Sequence, residues 1–299
     1  MATLAFPFAL VSAGQGLARA RIGLTYAFRH RRLPDLDAAP RFTEMVQRRK
    51  LFDRDPRQTV LMDKIAAKAL AEAELGREWI TPTLWSGGNL PEVPPFPSPS
   101  MVKARHGCNQ YRPLRCAPDM PAWRALEKET ARWVARPYGG WLDEWAYEHV
   151  PRGLLAEPLI GDGYDLPIDY KIYVFGGKAT HVQVHVGRAK HHRWVLHDRD
   201  FRQLVSVKDS PAAPQSLGAM LDAAEALAAG HEFLRVDFYE VDGRPRFGEF
   251  CLYPGSGLDP FAADWIDFEL GGLWHEARRG GKVAANSDDI PQDREILAG

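Results

Sequence analysis

Residues 233–252 of the chain read FLRVDFYEVDGRPRFGEFCL. Apolar and polar residues alternate on both sides of the Asp-Gly pair at 242–243, which predicts a β-hairpin. Each strand of this hairpin carries one carboxylate among apolar residues, Asp237 in the first strand and Glu249 in the second. Because side chains at every second position of a strand share one face, Asp237 lies on the face away from its apolar neighbours.

The two carboxylates act together only if the hairpin brings them to the same face of the sheet. A two-residue turn at 242–243 would put Glu249 on the face opposite Asp237, whereas a three-residue loop with a bulge would align them. We therefore predict the odd-length loop. Two aligned carboxylates supply oxygen ligands at one point, which suits Mg²⁺ that bridges nucleotide phosphates.

The composition is that of an ordinary globular protein of 299 residues, long enough for one large domain or two modest ones. Hydrophobic residues make up 45% and charged residues 26% of the chain, which argues against disorder. A net charge of -1, from 38 Lys and Arg against 39 Asp and Glu, argues against a general nucleic-acid binder. Three cysteines without CxxC spacing favour a reducing compartment.

The first eleven residues are mostly apolar and lack the preceding Lys or Arg of a signal peptide, which favours a cytoplasmic protein. No apolar run reaches the roughly 18 residues needed to cross a bilayer. Five arginines follow in a predicted helical region: Arg19, Arg21, Arg29, Arg31 and Arg32. Peripheral contact with the inner membrane stays open as an alternative, although a solvent-exposed basic helix face is the interpretation we favour.

Phosphate groups need cations, and three lysines stand in separate predicted elements. Lys64 begins a predicted helix over 63–76, and Lys171 lies on the first strand of a second predicted hairpin around Gly176-Gly177. Lys103 lies in a short apolar strand, where a lysine is disfavoured unless an anion meets it. Any one lysine alone is best interpreted as reaching solvent, but their order relative to the carboxylates favours a phosphate site.

Seven motifs then occur in one order along the chain: DK (63–64), MVKARHG (101–107), LAEPLI (155–160), DYK (169–171), RVDFY (235–239), FGE (247–249) and PGSG (254–257). In this order the sequence resembles the ATP-grasp superfamily and, within it, the TupA-like ATP-grasp family associated with polysaccharide biosynthesis. The resemblance covers about residues 60–275. It implies an α+β ATP-grasp fold, in which two α+β subdomains clasp a nucleotide.

The resemblance also implies a role for individual residues. ATP would be held by phosphate-binding lysines, a lid loop, an adenine-binding strand and a ribose-binding aspartate: Lys64, Lys103, His106, Gly107, Glu157, Leu159, Ile160, Asp169 and Lys171. Lys171 and Arg235 would be catalytic, and Asp237 and Glu249 would bind one or two Mg²⁺ ions. The acceptor substrate would be approached by the loop of Pro254, Gly255, Ser256 and Gly257.

The resemblance divides the chain into four regions. We expect residues 1–58 to form a helical N-terminal lead-in, because prolines break any long helix there. Residues 59–150 would form the small ATP-grasp subdomain with the lid loop, and residues 151–280 the large subdomain with the metal site. The polar residues 281–299 would form a flexible tail.

The chemistry implied by the resemblance is ATP-dependent carboxylate–amine ligation through an acyl phosphate, acting on a polysaccharide or its precursor. The acceptor would be a uronic-acid carboxylate and the amine an amino acid or amino sugar. Cys251 departs from the family pattern, because many ATP-grasp enzymes have an Asn two residues after the metal-binding glutamate. Two alternatives stay open: a catalytically silent nucleotide-binding or glycan-binding module, and an ATP-dependent kinase of a glycan intermediate.

Overall fold

The computed structural model describes residues 8–161, 166–187, 193–208 and 210–287. Side chains are described from residue 16 onward in the first helix and up to residue 280 in the last helix. Within these residues the helices are α1 Phe8–His30, α2 Phe42–Phe52, α3 Arg57–Met62, α4 Lys64–Leu75, α5 Met120–Val134, α6 Trp145–Glu148, α7 Leu217–Leu227 and α8 Asp264–Ser287. None of these described helices is long and apolar enough to cross a bilayer. The strands are β1 Trp85–Gly87, β2 Ser100–Ala104, β3 Tyr111–Leu114, β4 Leu154–Pro158, β5 Asp169–Phe175, β6 Lys178–Val186, β7 Arg193–Asp198, β8 Phe233–Val241 and β9 Arg244–Cys251.

The first sheet contains four antiparallel strands in the order β1-β4-β2-β3. Helix α5 packs against it, and Trp123 and Leu126 of this helix join Val102 of β2 and Leu154 of β4 in a small core. Burial of these apolar side chains stabilises the strand that carries Lys103.

The second sheet contains five antiparallel strands in the order β7-β6-β5-β8-β9. The central strand β5 is buried along its whole length, including its charged residues. Phe42 of α2 packs against Phe233 of β8 with ring centroids 5.0 Å apart, and Trp274 of α8 lies 4.5 Å from the same ring. These aromatic contacts stabilise the core of the second sheet, which contains more residues than the core of the first sheet.

The predicted α+β class is confirmed, and so are both predicted hairpins, with turns at Gly176-Gly177 and Asp242-Gly243. The predicted helix over 63–76 is α4. The Asp63 carboxylate accepts a hydrogen bond from Ile65 N at the start of α4, and Gly76, with φ of 98°, ends the helix. These outcomes follow from local sequence signals, namely a capping residue, a glycine stop and turn residues.

The two sheets divide the chain differently from the predicted regions. β4 pairs with β1 and β2 of the first sheet, although it follows the predicted boundary at residue 150. Phe42 of α2 and Ala67 of α4 precede that boundary but belong to the core of the second sheet. α8 extends to Ser287 and crosses the boundary predicted for the tail, while residues 288–299 lie outside the described part of the chain. Each segment joins the sheet or core where it buries apolar surface against distant parts of the chain, and no local sequence pattern reports such contacts.

His181 on β6 predicts how stability depends on pH. Burial lowers the pKa of His181 to about 4. As the pH falls from about 6.5 to about 4, the unfolded chain binds a proton that the folded protein does not, so His181 costs up to about 3 kcal/mol of stability in this window. We expect His181→Gln to lose less stability than the wild type between pH 7 and pH 4.5 in urea unfolding. Equal losses in the two proteins would contradict this prediction.

Candidate active site

The turn between β8 and β9 is a two-residue turn, so the predicted odd-length loop is wrong. Asp242 and Gly243 both have positive φ, 52° and 70°, as a type I′ turn requires. The alignment of the carboxylates comes from a bulge instead: Asp237 pairs with Glu249 and Phe238 with Phe247, which leaves Gly248 as the extra residue. One extra residue in β9 reverses the face of Glu249 and brings it to the side of Asp237.

Gly248 leaves no room for a side chain. A Cβ atom at this position would lie 2.9 Å from the Asp237 carbonyl oxygen and 3.1 Å from Cε2 of Tyr239. We expect Gly248→Ala to lower the free energy of unfolding by about 1–3 kcal/mol and to impair ATP turnover, because the bulge must shift. Gly218→Ala on α7, where a Cβ meets nothing within 4 Å, is the matched control. If both variants had the wild-type free energy of unfolding in urea, the result would contradict the bulge assignment.

Four charged side chains form a buried cluster where β5 and β8 pair. Both Asp237 oxygens accept hydrogen bonds from Arg235, at 2.7 and 2.8 Å, and Lys171 Nζ also donates to Asp237. Lys171 Nζ lies 2.6 Å from Asp169 Oδ2 as well. These four residues are at most 6% exposed. Asp169, predicted to bind ribose hydroxyls, is therefore engaged with Lys171 in this structure.

The electrostatics of this cluster keep all three of its central groups charged. Burial alone would raise the pKa of Asp237, but Arg235 and Lys171 outweigh burial and hold the pKa of this carboxyl below its ordinary value. Burial alone would lower the pKa of Lys171, but Asp169 and Asp237 raise it above its usual range. Burial alone would also lower the pKa of Arg235, but Asp237 outweighs burial and raises this pKa. The cluster thus combines two cations with two carboxylates.

A first cavity of about 970 Å³ lies between the two sheets. Its lining contains most of the residues predicted to bind the nucleotide, together with one predicted metal ligand: Lys64, Lys103, Gly107, Glu157, Leu159, Ile160 and Glu249. Met101, Leu159, Ile160 and Leu166 supply apolar surface, and Lys64, Lys68 and Lys103 supply positive charge. Apolar surface together with cations suits a base with attached phosphates.

Glu157 on β4 holds two lysines in the first cavity. Its Oε2 atom lies 2.5 Å from Lys103 Nζ, and its Oε1 atom lies 2.7 Å from Lys68 Nζ. Burial alone would raise the pKa of Glu157, but the two lysines outweigh burial and hold the pKa below its ordinary value. The three side chains together carry one net positive charge. Sequence reasoning missed Lys68, whose position four residues after Lys64, one helical turn along α4, was an available signal.

Lys103 is expected to contribute strongly to nucleotide affinity. Its side chain remains 28% exposed to the cavity while Glu157 orients it. Lys103→Ala would leave Glu157 neutralised by Lys68 alone, so the net positive charge offered to phosphates is lost. We expect binding of a non-hydrolysable ATP analogue to weaken by about 10–100-fold, measured by calorimetric titration. Lys128→Ala on the exposed face of α5 is the control, and unchanged affinity in Lys103→Ala would place the phosphates elsewhere.

The predicted lid loop, residues 106–109, differs in part from expectation. His106, predicted to bind the nucleotide, is fully buried, and its Nε2 atom lies 3.0 Å from Trp133 O, away from the cavity lining. Burial lowers the pKa of His106, which favours the neutral ring. Lys64 Nζ donates to Gly107 O at 2.6 Å and so joins the loop to α4. His106 therefore serves the packing of the first sheet, and the following residues of the loop line the cavity.

A second cavity of about 1460 Å³ meets the first one at Glu249, because both linings include Cys108, Asn109, Tyr111 and Glu249. Its wall carries both signs of charge. The cations are Arg29, Lys171 and Arg235, and the acids are Glu144, Glu249 and Asp259. Sequence reasoning did not single out Arg29, Glu144 or Asp259 for this site, since only the packing of distant segments brings them together.

The predicted substrate loop, Pro254–Gly257, divides between several surroundings. Gly255 and Ser256 line the second cavity, and Pro254 lines an adjoining cavity beside Arg193 and Phe261. The Ser256 hydroxyl lies 2.6 Å from Lys50 Nζ. Gly257 instead packs on α2, where a Cβ atom would lie 2.8 Å from Thr43 O, and Gly257 is absent from the cavity linings described.

The predicted metal ligands fit a magnesium ion with few protein ligands. Glu249, whose side chain is 34% exposed, faces both cavities, with Lys64 Nζ 3.9 Å from its Oε2 atom. Asp237 has Oδ1 occupied by one donor and Oδ2 by two, which leaves one of about four lone-pair directions. Burial raises the pKa of Cys251 to about 12, so it stays a thiol and a poor ligand. Among the described residues no group of three metal-binding side chains converges.

Comparisons with known proteins bear on this site. The family model described as TupA-like ATPgrasp matches residues 142–275. No curated protein matches the chain. The structure of D-alanine–D-alanine ligase from Bacillus anthracis complexed with ATP is similar at 18% identity, with a TM-score of 0.45, over 75% of this chain and 69% of that chain. L-amino acid ligase from Bacillus licheniformis is similar at 14% identity, with a TM-score of 0.43, over 78% of this chain and 49% of that chain.

The family model, rather than these structural similarities, carries the assignment. The matched segment includes β4 to β9, and with them Glu157, the buried charge cluster and Glu249. The predicted resemblance is therefore confirmed over this segment. Residues 142–275 of this chain are thus similar to the TupA-like ATP-grasp family.

Proposed function

We propose that this protein is an ATP-dependent carboxylate–amine ligase that modifies a polysaccharide or its precursor, with a uronic acid as the carboxylate substrate. The observation that carries the proposal is the junction of two cavities at Glu249, one with apolar and cationic walls and the other with walls of both charges. Such a junction lets a terminal phosphate meet an acceptor from the second cavity.

In the first cavity, the lysines around Glu157 would take the phosphates, and the apolar surface near Leu159 and Ile160 would take the base. Bound Mg²⁺ would neutralise phosphate charge. Glu249 would hold it together with Asp237, through the one carboxylate lone pair that no donor occupies. Lys64, whose Nζ donates to Gly107 O, would hold the lid loop over the phosphate end of the cavity.

In the second cavity, the mixed wall suits two substrates of opposite charge. Arg29, Lys171 and Arg235 would attract a carboxylate, and Glu144 and Asp259 would attract an ammonium group. A carboxylate oxygen forms a bond to the γ-phosphorus, and the bond to the β-phosphate oxygen breaks, which releases ADP. The ammonium group first loses a proton to solvent; its amine nitrogen then attacks the acyl carbon and loses a second proton to solvent, and phosphate leaves. This sequence needs positioning and charge neutralisation but no protein nucleophile.

One alternative has an observation in its favour. Three donors already occupy Asp237, and Cys251 supplies no metal ligand, which favours a nucleotide-binding or glycan-binding module without turnover. The module and the ligase both bind ATP, so binding alone does not separate them. Formation of a product does.

The test combines binding with product analysis. Calorimetric titration with a non-hydrolysable ATP analogue, with and without Mg²⁺, compares the wild type with Glu249→Gln. We expect tighter binding with Mg²⁺ in the wild type and little Mg²⁺ effect in the variant. Uronic acids and amines are then screened for ADP release, and the product is weighed by mass spectrometry. An amide supports the ligase, a stable phosphorylated sugar indicates a kinase, and binding without any product indicates the silent module.

A further inference from the structure

Glu144 is a buried carboxylate in the wall of the second cavity. It is 5% exposed and lies between the 3₁₀ helix Gly140–Leu142 and α6. Glu144 N donates to Gly139 O at 3.1 Å, and a Cβ atom on Gly139, whose φ is 84°, would lie 2.9 Å from Glu144 O. The backbone is therefore closely packed at this residue, which makes Glu144 a fixed part of the cavity wall.

The charge of Glu144 is neutralised only in part. Lys50 is the cation that acts on it, but the three N–H groups of Lys50 have other acceptors. These are Gln47 Oε1 at 3.1 Å, Ser256 O at 2.7 Å and Ser256 Oγ at 2.6 Å. Burial raises the pKa of Glu144, and Lys50 and the Ser256 hydroxyl offset this rise only in part. A buried carboxylate in this state is stabilised by a further cation.

Asp259, the other acid of this wall apart from the predicted metal ligand Glu249, is in a different state. Its side chain is 57% exposed and pairs with Arg29 Nη2 at 3.3 Å. An exposed carboxylate that already has a partner gains little from a second cation. Of the two acids that would attract an ammonium group, Glu144 is therefore the stronger site.

Three tyrosines of the second cavity lie close to Glu144. Tyr138, Tyr147 and Tyr253 line this cavity, with ring centroids 5.1 Å apart for Tyr138 and Tyr147 and 6.4 Å apart for Tyr147 and Tyr253. Burial raises the pKa of all three phenols, and the charge of Glu144 adds to this rise, so the rings stay neutral. Aromatic faces attract an ammonium group, most strongly where water is displaced.

We propose that Glu144 and these three tyrosines form the subsite for the ammonium group of the amine substrate, and that this amine carries no carboxylate next to its nitrogen, as in an amino sugar. An α-amino acid would bring its own carboxylate against Glu144 in a buried place, where like charges repel strongly. Lys50 has no N–H group left to meet that carboxylate. The subsite rests on the proposed ligase function, whose amine substrate it would select.

The ammonium subsite lies beside the junction of the two cavities. Cys108 lines both cavities, and its Sγ atom lies 3.1 Å from Tyr147 OH. Burial raises the pKa of Tyr138, and the charges of both Glu144 and Glu249 add to this rise, so Tyr138 is within electrostatic reach of both acids. An amine held at Glu144 would therefore lie close to an acyl phosphate formed at Glu249.

The experiment is calorimetric titration of the full chain with three probes, in the presence of Mg²⁺ and a non-hydrolysable ATP analogue. Glucosamine carries an ammonium group without a carboxylate, glucose has a hydroxyl in place of that group, and glycine carries both charges. We expect the wild type to bind glucosamine at least about tenfold more tightly than either other probe. Glu144→Gln should lose this preference. Glu148→Gln on the exposed side of α6, outside both cavity linings, is the matched control and should keep it.

Tyr138 supplies a second pair of variants that leave the carboxylate in place. Tyr138→Leu should weaken glucosamine binding by about threefold to fivefold, and Tyr138→Phe, which keeps the aromatic face, should bind glucosamine like the wild type. Affinity for the ATP analogue is measured for each variant and should equal that of the wild type, which separates a local effect on the subsite from a loss of folding.

These measurements need no turnover, so the subsite and the ligase reaction can fail separately. Selectivity for glucosamine that depends on Glu144, without an amide in the product screen, would support the subsite and refute the ligase. Equal binding of glucosamine and glucose, or selectivity that Glu144→Gln retains, overturns the subsite whether or not an amide forms. Glycine bound as tightly as glucosamine overturns the assignment to amines without an adjacent carboxylate.

Discussion

Asp237→Asn is expected to lower the free energy of unfolding by about 3–5 kcal/mol. The sequence predicted a metal-binding role for this residue. In the structure Asp237 is also 1% exposed and neutralises two cations, so its charge contributes to the fold as well. An asparagine keeps the shape but removes the charge. Lys171 would then keep Asp169 as its carboxylate partner and Arg235 would lose its ion pair, although both cations are only 6% exposed.

Urea unfolding at neutral pH measures this loss. The control is Glu249→Gln, which removes the other carboxylate of the same cross-strand pair from a more exposed position. If Asp237→Asn unfolded with the wild-type free energy, the buried cluster would not contribute to stability. Because the pKa of Asp237 is held below its ordinary value, its contribution is present above about pH 4 and is lost as the pH falls further.

Glu249→Gln is expected to lower ATP turnover by about 10²–10³-fold, the usual effect of removing one group that stabilises transferring charge. Its carboxylate lies where the two cavities meet and is the more accessible of the two predicted metal ligands. Folding should be unaffected, within about 0.5 kcal/mol, because the side chain is partly exposed and its contact with Lys64 is a distant ion pair.

This prediction is measured as ADP release, once a substrate pair has been found, with urea unfolding of the same variant. Glu74→Gln on the exposed side of α4 is the matched control, since it removes one carboxylate without approaching either cavity. Normal turnover in Glu249→Gln would refute the placement of the metal and phosphates at the cavity junction. Loss of turnover in both variants would indicate an effect of net charge instead.

A comparison of the two carboxylates indicates how far local sequence reasoning reaches. Alternation and the Asp-Gly pair predicted the hairpin, because turn residues and the two-residue period of a strand act over a few positions. The route to alignment was predicted wrongly. The carboxylates share a face because Gly248 fits a bulge against the Asp237 carbonyl, and that contact exists only after the strands pair.

The candidate site follows the same division. Motif order along the chain was sufficient to predict the family resemblance. Residue type and spacing also singled out Lys64, Lys103 and Glu157, which line one cavity. The partners of those residues were not predictable. Lys68 and Lys103 bind Glu157 from different elements. Arg29 of α1 lines the second cavity together with Leu258, which lies 229 positions later in the chain.

The sequence by itself determined the α+β class, the two hairpins, the capped helix α4 and the residue types available for nucleotide chemistry. Only the tertiary structure decided that Asp237 is a buried counter-charge and that His106 turns away from the cavity. The physical reason is the distance along the chain over which each kind of interaction acts. Propensity, capping and turn geometry act between neighbours in the chain, whereas burial and charge pairing depend on which distant segments the folded chain brings together.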